Sequence, residues 1–161
     1  MHSKQIGNIA SSAVVLELQK RDFNIFSEIG DLSKIDIIAE KDGILKRIQV
    51  KSCKKLSGYI CIPVKKSGPN GYRYNYKESD IDWFAAYEPK SGEIFWVESK
   101  LACTKKVGFV LRIDNPKNNQ YLKINRSVDF DINRFLRDYT QNTCNGDDIV
   151  QTTTQSAVSE S

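Results

Sequence analysis

The chain has 161 residues, 40% of them hydrophobic, and carries 24 Lys and Arg against 20 Asp and Glu for a net charge of +4. That length suits one domain, and that apolar content suffices for a core without metal or disulfide staples. No run approaches the ~18 apolar residues of a membrane span, and the first residues lack a charged-then-apolar leader, so a soluble, cytoplasmic protein with no membrane partner is expected.

In chain order, residues 4 to 21 read as a helix, because Ile6, Ile9, Ala10, Ala13, Val14, Leu16 and Leu18 recur at helical spacing. Phe23 to Ile29 suggest a first strand, closed by Gly30-Asp31, and Ile35 to Ala39 a second. Lys41-Asp42-Gly43 predicts a hairpin turn, since Asp-Gly tolerates positive φ. Ile44 to Cys53 form the third strand. Residues 54 to 77 interleave lysines and tyrosines around the turn Ser67-Gly68-Pro69-Asn70-Gly71, which suggests a basic β-ribbon. Glu78 to Asp82 read as a helical turn. Trp83 to Tyr87 and Glu93 to Val97 read as a hairpin, Lys106 to Ile113 as a strand, and Asp129 to Arg137 as a last helix. The expected organisation is a mixed α/β (α+β) domain over residues 1–138 and a polar, disordered tail over 139–161.

Histidine limits the chemistry these elements can hold. The one histidine is His2, beside a terminus. Ser-His-Asp and Cys-His catalysis, His-rich zinc sites and His-based nucleases are therefore improbable. No phosphate-binding glycine loop occurs, so no nucleotide cofactor is expected. Cys53, Cys61, Cys103 and Cys144 are widely spaced and read as reduced thiols. Trp83, Phe84, Phe95 and Trp96 read as core or as a subunit interface.

The third strand is the informative one. Strand period two turns Ile48 and Val50 to one side and Gln49 and Lys51 to the other. Asp36 stands among three isoleucines on the preceding strand, a costly position unless the carboxylate is hydrogen-bonded, paired or metal-bound. The hairpin brings Asp36, Gln49 and Lys51 toward one point. Asp and amide oxygens suit a hard cation such as Mg2+, and a neighbouring lysine can act on a metal-bound water and a phosphate. The spacing equally allows an ordinary ion pair of Asp36 with Lys51, with Gln49 on the surface.

Asp36, twelve intervening residues and Gln49-x-Lys51 resemble the signature of the PD-(D/E)xK nuclease superfamily, with Gln in place of the usual acid. The leading helix with Lys4-Gln5-Ile6-Gly7-Asn8-Ile9, and the segment Arg73 to Ala85 with its Asp80-Ile-Asp82-Trp-Phe84 run, resemble the same group over residues 4 to 137. Within it the chain is most similar to the cyanobacterial, group I intron-encoded homing endonuclease type. The resemblance implies a restriction-endonuclease-like core: a mixed central sheet flanked by helices, with a basic β-hairpin extension at about 54–77. It implies Asp36 as the main metal ligand, Gln49 as replacement for the second acid, the Val50 carbonyl as a further oxygen, and Lys51 as the residue that positions the attacking water. It also places Ser11 where the family carries a first-helix Glu. A hydroxyl cannot supply that charge, so the site is expected to be weakened unless Glu17 or Glu28 compensates.

Charge placement points to the same partner. Between Lys41 and Lys77 ten basic residues face one acidic residue, Asp42, so this segment carries +9 and the rest of the chain −5. Such concentration is the footprint of phosphate-backbone binding. Lys54, Lys55, Lys65 and Lys66 are candidates for phosphate contacts. Asn70, Tyr72, Arg73, Tyr74 and Asn75 are candidates for base contacts, Arg73 for guanine, although the tyrosines equally read as one side of a packed hairpin. The expected activity is Mg2+-dependent, site-specific cleavage of double-stranded DNA, with Mn2+ able to substitute and Ca2+ able to bind without cleavage. One small site cuts one strand, so at least a dimer is expected, and the resemblance implies a tetramer built as a dimer of dimers. The alternatives are a restriction or junction-resolving nuclease on the same core, and a DNA-binding protein without catalysis.

Overall fold

A computed structural model describes residues 2–28, 33–67, 72–105, 107–114 and 124–144. In chain order the elements are α1 (Ser3–Gln19), β1 (Asn24–Ser27), β2 (Ile37–Lys41), β3 (Ile44–Ser52), β4 (Lys54–Leu56), β5 (Tyr59–Pro63), β6 (Lys65–Ser67), β7 (Arg73–Asn75), β8 (Trp83–Tyr87), β9 (Ile94–Glu98), α2 (Ser99–Ala102), β10 (Gly108–Arg112) and α3 (Ile132–Cys144). A 3-10 turn over Ser127–Phe130 precedes α3. The Gly30-Asp31 turn, residues 68–71 with Asn70, and residues 145–161 lie outside the described residues.

The central sheet has the order β1-β2-β3-β8-β9, antiparallel except for the β3–β8 pair. Its first hairpin is as tight as the sequence suggests. Lys41 pairs with Ile44, and Asp42 (φ 52°) and Gly43 (φ 80°) alone make the turn, both in the left-handed region. That turn fixes the register, Ile37 opposite Ile48, and so sets Asp36 opposite Gln49. The twelve-residue spacer is thus the length of one tight hairpin.

Alternation along the strands gives the sheet two buried faces. Ile48, Val50, Trp83, Ala85 and Trp96 point to one layer, where Ala10, Val14 and Leu18 of α1 and Phe135 of α3 cover them. Phe84, Ala86, Phe95 and Val97 point to the other, where Ile60, Ile62, Phe109 and Leu111 meet them. The two tryptophans are core residues, each at most 1% exposed.

Two expectations need correction. The segment 54–77 is not a single ribbon. β4 and β5 join β10 in a three-stranded layer of order β10-β5-β4, and β6 and β7 form a separate two-stranded ribbon. Ile60 and Ile62 explain the division, since their alternation gives β5 an apolar face that packs on the central sheet. The last helix also passes the expected boundary at 138 and runs to Cys144. Ile132, Phe135 and Tyr139 continue one helical stripe, and Tyr139 is buried beside Phe23, their rings 5.1 Å apart edge to face. The polar composition around Tyr139 masks that stripe.

Candidate active site

β3 and the residues just before β2 build the site. Asp36 sits one residue before β2 and extends the ladder, its N–H donating to the Ile48 carbonyl at 3.0 Å. Its carboxylate Oδ2 accepts from the Val50 N–H at 2.8 Å and, over a short contact, from Gln49 Nε2. Gln49 is 5% exposed, so the surface reading of that side chain is excluded. Its Nε2 also donates to the Val50 carbonyl at 3.1 Å. Lys51 donates not to Asp36 but to the Tyr76 hydroxyl, at 3.0 Å, and that hydroxyl donates to Gln49 Oε1 at 2.9 Å. The result is a continuous chain Lys51–Tyr76–Gln49–Asp36.

Tyr76 is the residue that sequence reasoning does not single out. It follows β7 directly, it is 4% exposed, and its ring meets Phe84 edge-on at 5.3 Å while Lys51 Nζ lies 5.0 Å from its centroid. Tyr72 and Tyr74, four and two residues earlier, are 69% and 52% exposed. A period of two puts all three on one side of a strand, so the pattern alone does not separate the buried one from the others. Burial pushes the Tyr76 phenol above its ordinary pKa. Burial likewise lowers that of Lys51, Asp36 opposes the shift, and Lys66 adds to it.

The chain lies in a cleft of about 310 Å³ that Ser33, Lys65 and Lys66 also line. Lys66 donates to the Ser33 carbonyl at 2.6 Å, which ties β6 to the loop carrying Asp36. Two ion pairs hold the walls. Lys34 meets Asp80 at 2.7 Å, and Arg47 grips Asp82 through Nε at 3.1 Å and Nη2 at 2.8 Å. Asp82 also accepts from the Arg47 N–H at 2.8 Å. Burial pushes the Asp82 carboxyl up, but the Arg47 hydrogen bonds outweigh it and hold it below the usual carboxylate range. The Asp80-x-Asp82 run is therefore a clamp on β3 and on the Asp36 loop.

The remaining expected residues divide. Ser11 on α1 lines a neighbouring groove of about 860 Å³ with Lys4, Asn8, Glu28 and Asp36. Glu28 accepts from the Ser33 N–H, while Glu17 pairs with Arg21 at 3.0 Å and lines a different cleft. Lys54 and Lys55 lie exposed on β4; Tyr72, Arg73, Tyr74 and Asn75 lie exposed on or beside β7. These six are not among the residues lining the Asp36 cleft. Among the described residues no group of three or more His, Cys, Asp or Glu could hold a metal. The donors that do meet are the Asp36 carboxylate, the Gln49 amide and the Val50 carbonyl. They suit a hard cation in kind, but the amide turns its NH2 group, not its oxygen, toward Asp36.

The profile of the PD-(D/E)XK endonuclease family matches residues 1–133. The chain therefore belongs to the PD-(D/E)XK endonuclease family, and its mixed sheet flanked by helices is that family's fold. Among solved structures it is similar to that of a bacterial homing endonuclease, I-Ssp6803I, with 18% sequence identity, a TM-score of 0.71, and coverage of 91% of this chain and 99% of that one. No curated protein matches the chain. No helix among the described residues is long and apolar enough to cross a membrane.

Proposed function

We propose that this chain is a site-specific, double-stranded DNA endonuclease of the homing type, acting in the cytoplasm on group I intron insertion sites. One juxtaposition supports the reading above all: the side chains of Asp36, Gln49 and Lys51 open into the same cleft as Lys65 and Lys66 of the basic ribbon. Asp36, the Gln49 amide oxygen and the Val50 carbonyl would hold Mg2+, with Mn2+ able to replace it and Ca2+ able to bind without cleavage. Bound there, the ion supplies charge stabilisation at the phosphate and a coordinated water of lowered pKa.

The chain's own residues do the rest. Lys51, fixed by Tyr76, orients the attacking water and offsets the charge that gathers on the phosphate. The water gives up a proton to solvent as its oxygen bonds to phosphorus, one ester P–O bond breaks, and the leaving oxygen takes up a proton from solvent. Lys65 and Lys66 hold phosphates beside the reacting one, Lys54 and Lys55 hold more distant ones, and Arg73 with Tyr72, Tyr74, Asn70 and Asn75 reads base edges. One cleft cuts one strand, so two copies act on a duplex, in a tetramer built as a dimer of dimers.

Ser11 favours a second reading, a DNA-binding protein without catalysis, because the groove beside Asp36 receives a hydroxyl from α1 in place of the family's carboxylate. Supercoiled plasmid carrying the candidate insertion site separates the two when native chain and Ser11→Glu are compared in Mg2+. The nuclease reading predicts that Glu raises the cleavage rate. Binding by both proteins without cleavage by either supports the second reading.

A further inference from the structure

An ammonium group has only donors and a carboxylate only acceptors. The hydrogen bonds from Lys51 to Asp36 therefore run in one direction. Lys51 Nζ donates to Tyr76 Oη, the Tyr76 hydroxyl gives its own proton to Gln49 Oε1, and Gln49 Nε2 is left to donate to Asp36 Oδ2. We propose that Tyr76 is a positioning residue that locks the Gln49 amide with its NH2 group toward Asp36, and so sets how tightly the site takes up a divalent cation. The inference deepens the nuclease reading and rests on it.

The alternative orientation shows what the lock opposes. For Gln49 to offer its oxygen beside Asp36, the amide must make a half-turn. Nε2 then faces Tyr76 Oη, which already accepts from Lys51, and the Tyr76 proton loses its acceptor. At 4% exposure the hydroxyl has little water to replace it. Cation uptake thus works against a satisfied chain. A phenylalanine at this position keeps the ring against Phe84 and beneath Lys51 but has no proton to strand. A glutamate at position 49 accepts from Tyr76 with one oxygen and offers the other inward, so it needs no turn.

Calorimetric titration of the full chain with Ca2+ tests the lock. Tyr76→Phe is expected to bind Ca2+ about tenfold more tightly than the native chain, the equivalent of one stranded hydroxyl. In a Gln49→Glu background the same substitution is expected to give no tightening. Unchanged or weaker binding by a folded Tyr76→Phe overturns the proposal, because a merely structural tyrosine could lower the melting temperature but would not hold affinity down. Asp36→Ala must abolish binding. Binding that survives Asp36→Ala, or is missing from every variant, removes the metal site itself and the lock with it. The native chain gives a measurement that does not depend on the variant's folding. By NMR, the Gln49 side-chain amide protons are expected close to the Val50 amide proton without Ca2+ and close to the Tyr76 ring with it. Contacts that stay unchanged at saturating Ca2+ overturn the proposal.

Discussion

Lys51 carries the most direct functional expectation among single side chains. Its ammonium lies in the cleft with Asp36 but is held by the Tyr76 hydroxyl. Under the proposed mechanism, replacing it removes the group that orients water while leaving the other cleft lysines to bind DNA. Lys51→Ala is expected to slow cleavage by about 10²- to 10⁴-fold, with DNA affinity in Ca2+ changed far less, as single-turnover kinetics and filter binding would report. Asp82 is the structural counterpart. Its pKa is depressed in the folded chain, so its contribution to stability is complete above the unfolded value near ~3.9 and is lost as pH falls through the lower folded value. Thermal melts in that acid range should show the loss in the native chain, whereas Asp82→Asn should be less stable at neutral pH and lack that component.

At the scale of elements, the ribbon and the last helix each make a distinct claim. Lys65 and Lys66 on β6 line the cleft, and each contact with a phosphate releases counterions. Lys65→Ala and Lys66→Ala are each expected to weaken DNA binding across sequences and to reduce the slope of log affinity against log salt by about 1. Tyr139 ties α3 to the β2–β3 turn, its hydroxyl directed at the Lys41 and Ile44 carbonyls, and burial raises its pKa to about 12. Ending the chain at residue 138 removes that ring from the contact with Phe23, and a loss of about 3 kcal/mol or more is expected by urea unfolding, against about 1 kcal/mol for Tyr139→Phe.

The same elements show what local sequence can carry. The hairpin and the meeting of Asp36 with Gln49 were legible because Asp-Gly fixes a two-residue turn and the turn fixes the register. The alternation of Ile48 and Val50 with Gln49 and Lys51 was legible because a strand has period two. The separation of β4–β5 from β6–β7 was not, because it depends on β10, more than forty residues further along the chain. Tyr76 was hidden for a related reason: its partner groups come from β3, and nothing in its immediate neighbours distinguishes it from Tyr72 or Tyr74.

For the whole molecule, the net charge of +4 conceals its own distribution, since the +9 segment from Lys41 to Lys77 supplies both β3, which carries Gln49 and Lys51, and the ribbon. Under the proposed function, the Asp36 cleft of an 18.3 kDa chain nicks a duplex but does not sever it. Light scattering is expected to give the mass of a tetramer, and a strictly monomeric chain should produce nicked circles without linear product. In the proposed nuclease, Asp36, Gln49 and Lys51 form the catalytic centre and Ser11 weakens it. The most direct measurement is the Mg2+-dependent conversion of supercoiled target plasmid by Ser11→Glu, with and without Lys51→Ala. Linear product from the first protein and its loss from the second is the result predicted here. Equal cleavage by both, or binding by both with no cleavage by either, would contradict it.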